Sequence, residues 1–350
     1  MNTQSLLSVV HLKKYFPVGG GSLFKARRYL RANDDISFDI YEGETFGLVG
    51  ESGSGKSTLG RTLLRLYEPT SGQILYRGNH DKEVDLTQLK GEELRKLRSD
   101  LQMIFQDPYS SLNPRMTVGQ IVEEGVATHK YYRRGTPQMR EYVLKVMQDC
   151  GLQAEALHRY PHQFSGGQRQ RVCIARALAV RPKFIVCDEC VSALDASIQS
   201  QILNLLAELK EKEKLTYLFI SHDLSVVRHI SDRIAVMYLG NIVEMGTAKQ
   251  VFENPRHPYT IALMSAVPSM KAEREKKIVL GGNMPSPVSP PSGCKFHTRC
   301  FMACEKCKRV PPPFTEIEKG HFAACHFADK PTAEKRRIAE SNEGQTKKFL

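Results

Sequence analysis

The stretch Gly50-Glu51-Ser52-Gly53-Ser54-Gly55-Lys56-Ser57 fits G-x-x-x-x-G-K-[ST], a spacing that cradles phosphate. Gly50, Gly53 and Gly55 let the backbone curl until successive N–H groups face one hollow. A helix beginning at Lys56 adds unpaired donors and the positive end of its dipole, so a polyphosphate is the natural guest. Lys56 is placed to reach the β- and γ-phosphates, and the Ser57 hydroxyl to hold Mg²⁺. Further on, the apolar run Phe184-Ile185-Val186-Cys187 ends in Asp188-Glu189. A carboxylate at the C-terminal end of a buried parallel strand suits a Mg²⁺–water contact. Its neighbour Glu189 is placed to orient an attacking water. Ser221-His222-Asp223 ends the next buried strand, which brings His222 to the same crevice. Phe164-Ser165-Gly166-Gly167-Gln168 opens a helix with Ser165 as its N-cap; taken alone, that pattern is equally a tight turn plus a cap.

The elements that must hold these groups are legible as strand–helix alternation. Thr45–Val49 reads as a buried strand entering the phosphate loop, and 56–66 as the helix leaving it, with Leu59, Leu63, Leu64 and Leu66 available for burial. Strands are also predicted over 6–10, 32–41, 72–76, 101–105, 184–187 and 215–220. A closing hairpin is predicted around Leu239-Gly240-Asn241. The character changes over 107–163, where 118–126 and 139–150 have helical spacing, so this segment reads as a helical insertion. The core therefore comprises 1–106 and 164–265, an α/β nucleotide-binding fold with an N-terminal β subdomain. A segment over 266–293, stiffened by Pro285-Ser-Pro-Val-Ser-Pro-Pro, reads as a linker. A Cys-rich module over 294–327 follows, and the polar stretch 328–350 reads as disordered.

Composition sets outer limits. A chain of 350 residues with 41% hydrophobic content can bury a full core. No apolar run approaches the ~18 residues that span a bilayer, and Met1–Val10 lacks the form of a signal peptide. The expectation is a cytosolic protein that meets a membrane only through partners. The net charge of +12 is scattered rather than clustered, which favours solvated basic faces over a nucleic-acid groove.

Of nine cysteines, five fall between Cys294 and Cys325. Cys150, Cys173, Cys187 and Cys190 sit in apolar or helical surroundings and read as small core residues. The late set reads C-x5-C-x6-C-x17-C through Cys294, Cys300, Cys307 and Cys325. Four thiolates can hold Zn²⁺ or a [4Fe–4S] cluster, and the spacing lacks the C-x2-C pairs of common zinc knuckles. Cys304 falls inside this set as a further ligand in reserve.

Taken in order and spacing, these motifs make residues 5 to 270 resemble the ATPase subunit of an ABC transporter, a P-loop NTPase with a helical subdomain. The resemblance implies a head-to-tail sandwich of two such ATPases, each ATP lying between one subunit's phosphate loop and the other's Ser-Gly-Gly helix start. It implies that Tyr15 stacks on adenine and that Gly50, Gly53, Gly55, Lys56, Ser57 and Thr58 bind the phosphates. Ser57, Gln106 and Asp188 attend Mg²⁺, and Gln106 also senses the γ-phosphate and water. Ser165, Gly166, Gly167 and Gln168 contact the partner's ATP. Glu189 is the general base, Asp195 bridges the subunits and His222 contacts the γ-phosphate. Two departures stand out: Phe164 where Leu is commonest, and Cys190 where Pro usually follows the Glu.

Further motifs, Phe105-Gln-Asp-Pro-Tyr-Ser-Ser-Leu-Asn-Pro-Arg115, His257-Pro-Tyr-Thr260, Pro285-Ser-Pro287 and Pro291-Ser-Gly-Cys294, resemble the oligopeptide/dipeptide importer ATPases, chiefly the second ATPase of such a system. That likeness implies a homologous but distinct ATPase partner, two membrane permeases, an external peptide-binding protein, a place at the cytoplasmic face of the membrane, and a [4Fe–4S] cluster on the four cysteines. Related importers carry nickel or glutathione. DNA-repair ATPases share the sandwich but separate the two motifs by long coiled coils, and no heptad array occurs here.

Overall fold

The computed structural model describes residues 4–19, 27–78, 83–266 and 277–346. Part of the 266–293 linker and the end of the tail lie outside the described residues. The strands are β1 (Ser5–Val18), β2 (Arg28–Tyr41), β3 (Thr45–Val49), β4 (Ser71–Tyr76), β5 (Val84–Asp85), β6 (Leu101–Ile104), β7 (Phe184–Asp188), β8 (Thr216–Ser221), β9 (Arg233–Tyr238), β10 (Asn241–Thr247), β11 (Thr315–Glu318) and β12 (His321–Ala323). The helices are α1 (Lys56–Leu63), α2 (Gly91–Leu97), α3 (Pro108–Ser111), α4 (Val118–Thr128), α5 (Pro137–Asp149), α6 (Gly166–Leu178), α7 (Ala196–Glu213), α8 (Leu224–Ile230), α9 (Ala248–Glu253), α10 (Pro258–Ser265), α11 (Glu305–Arg309) and α12 (Thr332–Thr346).

The larger sheet runs β11-β12-β10-β9-β3-β8-β7-β6. From β6 to β9 the neighbours are parallel, and from β9 to β11 antiparallel. Every residue of β3, β7 and β8 is buried, as an unbroken apolar run in a doubly covered parallel sheet requires. The two-residue period of a strand divides these side chains between two cores. Phe184, Val186, Leu218, Ile220, Phe46 and Leu48 point to one core, shared with Leu59 and Leu63 of α1 and with Leu7, Phe38 and Ile74 of the β2-β1-β4-β5 sheet. Ile185, Cys187, Tyr217 and Phe219 point to the other, shared with α4, α5, α6 and α7. Thus the phosphate-loop helix is clamped between both sheets. Local chemistry agrees with the element ends. Thr117 with Gln120, Ser165 with Gln168 and Thr247 with Gln250 form reciprocal capping boxes at α4, α6 and α9.

Two expectations change. The C-terminal region is not a satellite beyond a spacer: its hairpin β11–β12 adds to the main sheet through β10, with Glu244 opposite Ala323 and Met245 opposite Phe322. The dock is a buried polar knot. The Glu244 carboxyl accepts from the backbone N–H of Arg256 at 2.7 Å and of His257 at 2.7 Å, and meets His321 Nε2 at 2.8 Å. Both side chains are fully buried. Second, the tail read as disordered carries α12. Its composition is polar, but buried Lys335 donates to the carbonyl of Arg256 at 2.7 Å, an anchor that low hydrophobicity conceals. Among the described residues no helix is long and apolar enough to cross a membrane.

Candidate functional site

The loop between β3 and α1 is shaped by close backbone approach. A Cβ on Gly50 would lie 2.2 Å from the Met237 carbonyl oxygen, and one on Gly55 2.1 Å from that of Ala32. Gly55 also sits at φ 103°, where an L side chain is strained. The buried Asn33 side chain fixes this corner by donating to the Gly55 carbonyl at 3.1 Å. Lys56 Nζ donates to the carbonyls of Gly50 at 2.7 Å and Glu51 at 3.0 Å. Burial lowers the Lys56 pKa, and the negative charges of Glu189, Asp188 and Glu51 work against that.

At the next strand ends, the Ser57 hydroxyl donates to Asp188 Oδ1 at 2.7 Å. Asp188 is 1% exposed. Its Oδ2 has no hydrogen-bond partner among the described residues, and Arg61 Nη2 stands 3.7 Å away. Burial pushes the Asp188 pKa up, chiefly against a hydrogen bond from Ser57. A buried carboxylate oxygen left free beside a serine hydroxyl fits a Mg²⁺ site, which takes few protein oxygens and keeps its waters.

Glu189 is the hub. It adopts φ 48°, uncommon for a residue with a side chain, and its N–H is held by the Ile220 carbonyl at 2.9 Å. Gln106 Nε2 donates to its Oε2 at 2.8 Å, and His222 Nδ1 lies 3.3 Å from its Oε1. Behind it, Cys190 is 2% exposed. Its thiol bonds Cys187, whose own pKa that bond and burial push up.

A cleft of about 590 Å³ joins Gly53, Gly55, Lys56, Ser57, Thr58, Gln106 and Glu189. Gly50 and Asp188 stand directly behind through their bonds to Lys56 and Ser57. Six anticipated residues are elsewhere. Tyr15 is not in the cleft lining; its hydroxyl donates to Asp34 Oδ1 instead. Ser165, Gly166, Gly167 and Gln168 lie off the cleft at the start of α6, where Ser165 accepts from the Gln168 N–H at 3.4 Å. Asp195 caps α7, accepting from Ile198 N–H at 3.0 Å. Conversely, Leu30, Arg31, Met284 and Pro287 line the cleft unforeseen. The Arg31 N–H donates to the Pro287 carbonyl at 3.1 Å, so the proline-rich segment read as a spacer is a wall of the site. Its only sequence signal was the Pro285-Ser-Pro287 motif itself.

The cysteines gather unevenly. Burial raises the pKa of Cys294, Cys300 and Cys325, and in each case neighbouring cysteines of the set Cys294, Cys300, Cys307 and Cys325 add to it. Cys304 Sγ lies 3.6 Å from Cys307 Sγ. Among the described residues no group of three or more His, Cys, Asp or Glu side chains could hold a metal ion. The thiols as placed therefore lend no support to either the zinc or the iron–sulfur expectation.

The ABC transporter family model matches residues 33–192, and the model for the oligopeptide/dipeptide transporter C-terminal region matches 243–307. The chain is 50% identical over 330 residues to the oligopeptide transport ATP-binding protein AppF of Bacillus subtilis, covering 93% of this chain and 98% of that protein. It is 49% identical over 329 residues to the oligopeptide transport ATP-binding protein OppF of Haemophilus influenzae, covering 93% and 97%. The dipeptide transport ATP-binding protein DppF of the same organism is 47% identical over 325 residues, covering 93% and 97%. Among solved structures, the dimeric ATP-binding cassette MJ0796, in a post-hydrolysis state bound to ADP and Pi, superposes with a TM-score of 0.60. It is 29% identical, covering 69% of this chain and 98% of that one. Part of a Clostridium perfringens ABC transporter complex, cbiO1, gives a TM-score of 0.59 at 28% identity, covering 71% and 91%.

Proposed function

Since the chain belongs to the ATP-binding subunits of ABC-type oligopeptide and dipeptide transporters, we propose that it is the ATP-hydrolysing subunit of a peptide importer. The observation that carries the reading is the Glu189 carboxylate, held by Gln106 at 2.8 Å and facing His222 at 3.3 Å, beside Lys56 and Ser57.

Phosphoryl transfer to water asks for positioning and charge neutralisation rather than covalent chemistry. The phosphate-loop N–H groups and Lys56 hold the β- and γ-phosphates. Bound Mg²⁺ would neutralise charge on the phosphate oxygens, with Ser57, Asp188 and Gln106 as its attendants. Glu189 accepts the proton of the attacking water. The amide of Gln106 and the ring of His222 fix the carboxylate's orientation, and His222 reaches toward the γ-phosphate.

Ser165–Gln168 lie off their own phosphate-loop cleft, which supports a second, homologous ATPase whose cleft they complete. Asp195 bridges the two. Tyr15 turns to adenine once nucleotide is seated, flanking the wall formed by Leu30 and Arg31. Two membrane permeases take up the work at the cytoplasmic face, and an external binding protein supplies the peptide. Cargo of the nickel or glutathione type is the alternative within the same machine.

The spacing C-x5-C-x6-C-x17-C and the likeness to the peptide-transporter C-terminal region are what support a [4Fe–4S] cluster on Cys294, Cys300, Cys307 and Cys325. Anaerobically purified protein should then be brown, and Cys294→Ser colourless. Colourless wild type with stoichiometric zinc would overturn this.

The deciding experiment is uptake of labelled di- and oligopeptides by cells lacking other peptide importers. Glu189→Gln at normal protein level should abolish uptake. Uptake equal to wild type would remove peptides as the cargo.

A further inference from the structure

Two cations between Cys294 and Cys300, Lys295 and Arg299, pair with residues that adjoin the lining of the nucleotide cleft. Arg299 ends a short 3-10 turn, His297–Arg299, directly before Cys300. Its guanidinium meets Glu51 fork to fork, Nη1 to Oε2 at 2.7 Å and Nη2 to Oε1 at 3.1 Å. The Arg299 side chain is 8% exposed and that of Glu51 30%. Arg299 Nε donates to the Gly281 carbonyl at 3.3 Å, and the guanidinium lies 6.0 Å from the Tyr238 ring centre.

Glu51 is a member of the phosphate loop, and both its backbone polar groups are held. Its N–H donates to the Tyr259 hydroxyl at 2.8 Å. Its carbonyl accepts from Lys56 Nζ at 3.0 Å and from the Ser54 N–H at 3.2 Å. Lys295 Nζ donates to Asp34 Oδ2 at 2.7 Å and to the Asn241 side chain. Asp34 adjoins Asn33, which holds Gly55.

An exposed ion pair contributes little. A bidentate arginine–carboxylate pair with one partner nearly buried is the stronger and more directional kind. It has a second consequence here. Glu51 stands outside the cleft lining but belongs to the loop that is to hold a polyanion, and its negative charge acts on Lys56, so an unneutralised carboxylate there competes with that polyanion for the lysine.

We propose that Arg299 is a positioning residue for nucleotide: it neutralises Glu51 and fixes the turn that presents Lys56, so the cysteine-bearing C-terminal region sets the affinity of the phosphate loop for Mg-ATP. The inference rests on the phosphate loop being the nucleotide site.

The test is a double-mutant cycle on the full-length protein, reading the Kd for Mg-ATP by calorimetry. Arg299→Ala should raise Kd about tenfold or more, the loss of at least one charge-assisted contact. Arg299→Lys, which keeps the charge and loses the fork, should raise it by roughly threefold. In a Glu51→Gln background, Arg299→Ala should add less than about twofold, because no carboxylate remains to neutralise. In the assembled transporter, Arg299→Lys should raise KM for ATP and hold kcat within about twofold, a split that general misfolding would not produce. Arg299→Ala binding within twofold of wild type, or an equal effect in both Glu51 backgrounds, would overturn the proposal. Wild type that fails to bind Mg-ATP, or Lys56→Ala that binds as well as wild type, would instead overturn the nucleotide-site reading beneath it.

Discussion

Removing the Glu244 side chain should detach the C-terminal hairpin at a cost that can be worked out from its bonds. Glu244→Ala leaves three donors without a partner: the N–H groups of Arg256 and His257, and the ring nitrogen of His321. Each buried orphan costs about 1–3 kcal/mol. Water entering the new cavity recovers part of this, so the net loss is about 3–5 kcal/mol. At ~2–4 °C per kcal/mol for a chain of this order, the unfolding midpoint should fall by roughly 6–20 °C. Glu244→Gln keeps the volume and turns one acceptor into a donor that faces donors, so it should fall by less, about one orphan's worth. Differential scanning calorimetry reads both. Amide exchange should rise first in β12, because its ladder to β10 is short. A midpoint for Glu244→Ala within 1–2 °C of wild type, which is under ~1 kcal/mol, would refute the claim that this knot holds the hairpin.

Gly55→Ala should abolish Mg-ATP binding while leaving a folded chain by circular dichroism, since its Cβ would lie 2.1 Å from a backbone oxygen. Glu189→Gln should lower kcat of the assembled transporter by about 10²–10⁴-fold, the usual worth of a general base, with Kd for Mg-ATP near wild type in a binding titration. Asp34→Asn should destabilise in a pH-dependent way. Burial raises the Asp34 pKa, but hydrogen bonds from Lys295 and Tyr15 and the nearby positive charges outweigh it and hold the pKa below the ordinary value. A depressed carboxyl stabilises the fold above its unfolded pKa of about 3.9 and loses that contribution as pH falls through the folded one. Urea melts of wild type and Asp34→Asn should therefore differ at neutral pH and converge in acid.

The site was legible where chemistry and local pattern coincide. Gly50–Ser57 sits between a strand and a helix that its own flanking leucines and valines announce. Asp188, Glu189 and His222 end apolar runs that only a buried parallel strand explains. The misses share a different cause. β12 is three residues long, too short for alternation to register, and its docking joins residues far apart in the chain, through the ladder to β10 and the His321–Glu244 contact. Helix α12 offers little apolar surface and buries Lys335 through a backbone carbonyl, so composition alone argues for disorder. Pro285–Pro287 reads as a stiff spacer because proline fixes φ whatever it touches; that it walls the cleft depends on a backbone bond to Arg31. The Arg299–Glu51 pair is of the same kind, because nothing in either local sequence points at the other.

The eight-stranded sheet has two ends, and each is finished differently. At one end lies β6, only Leu101–Ile104. At the other, β10 carries Ile242, Val243 and Met245, a sequence well suited to recruit a foreign strand. The C-terminal hairpin occupies that side, with Ala324 N–H bonded to the Val243 carbonyl at 2.8 Å. It then offers the solvent β11, Thr315-Glu316-Ile317-Glu318, brief and doubly acidic. The hairpin thus acts as a guard rail, replacing a sticky border with a charged one. A chain cut before Thr315 would keep its phosphate loop and strand ends yet expose β10, so its failure in a cell would be loss of solubility before loss of chemistry.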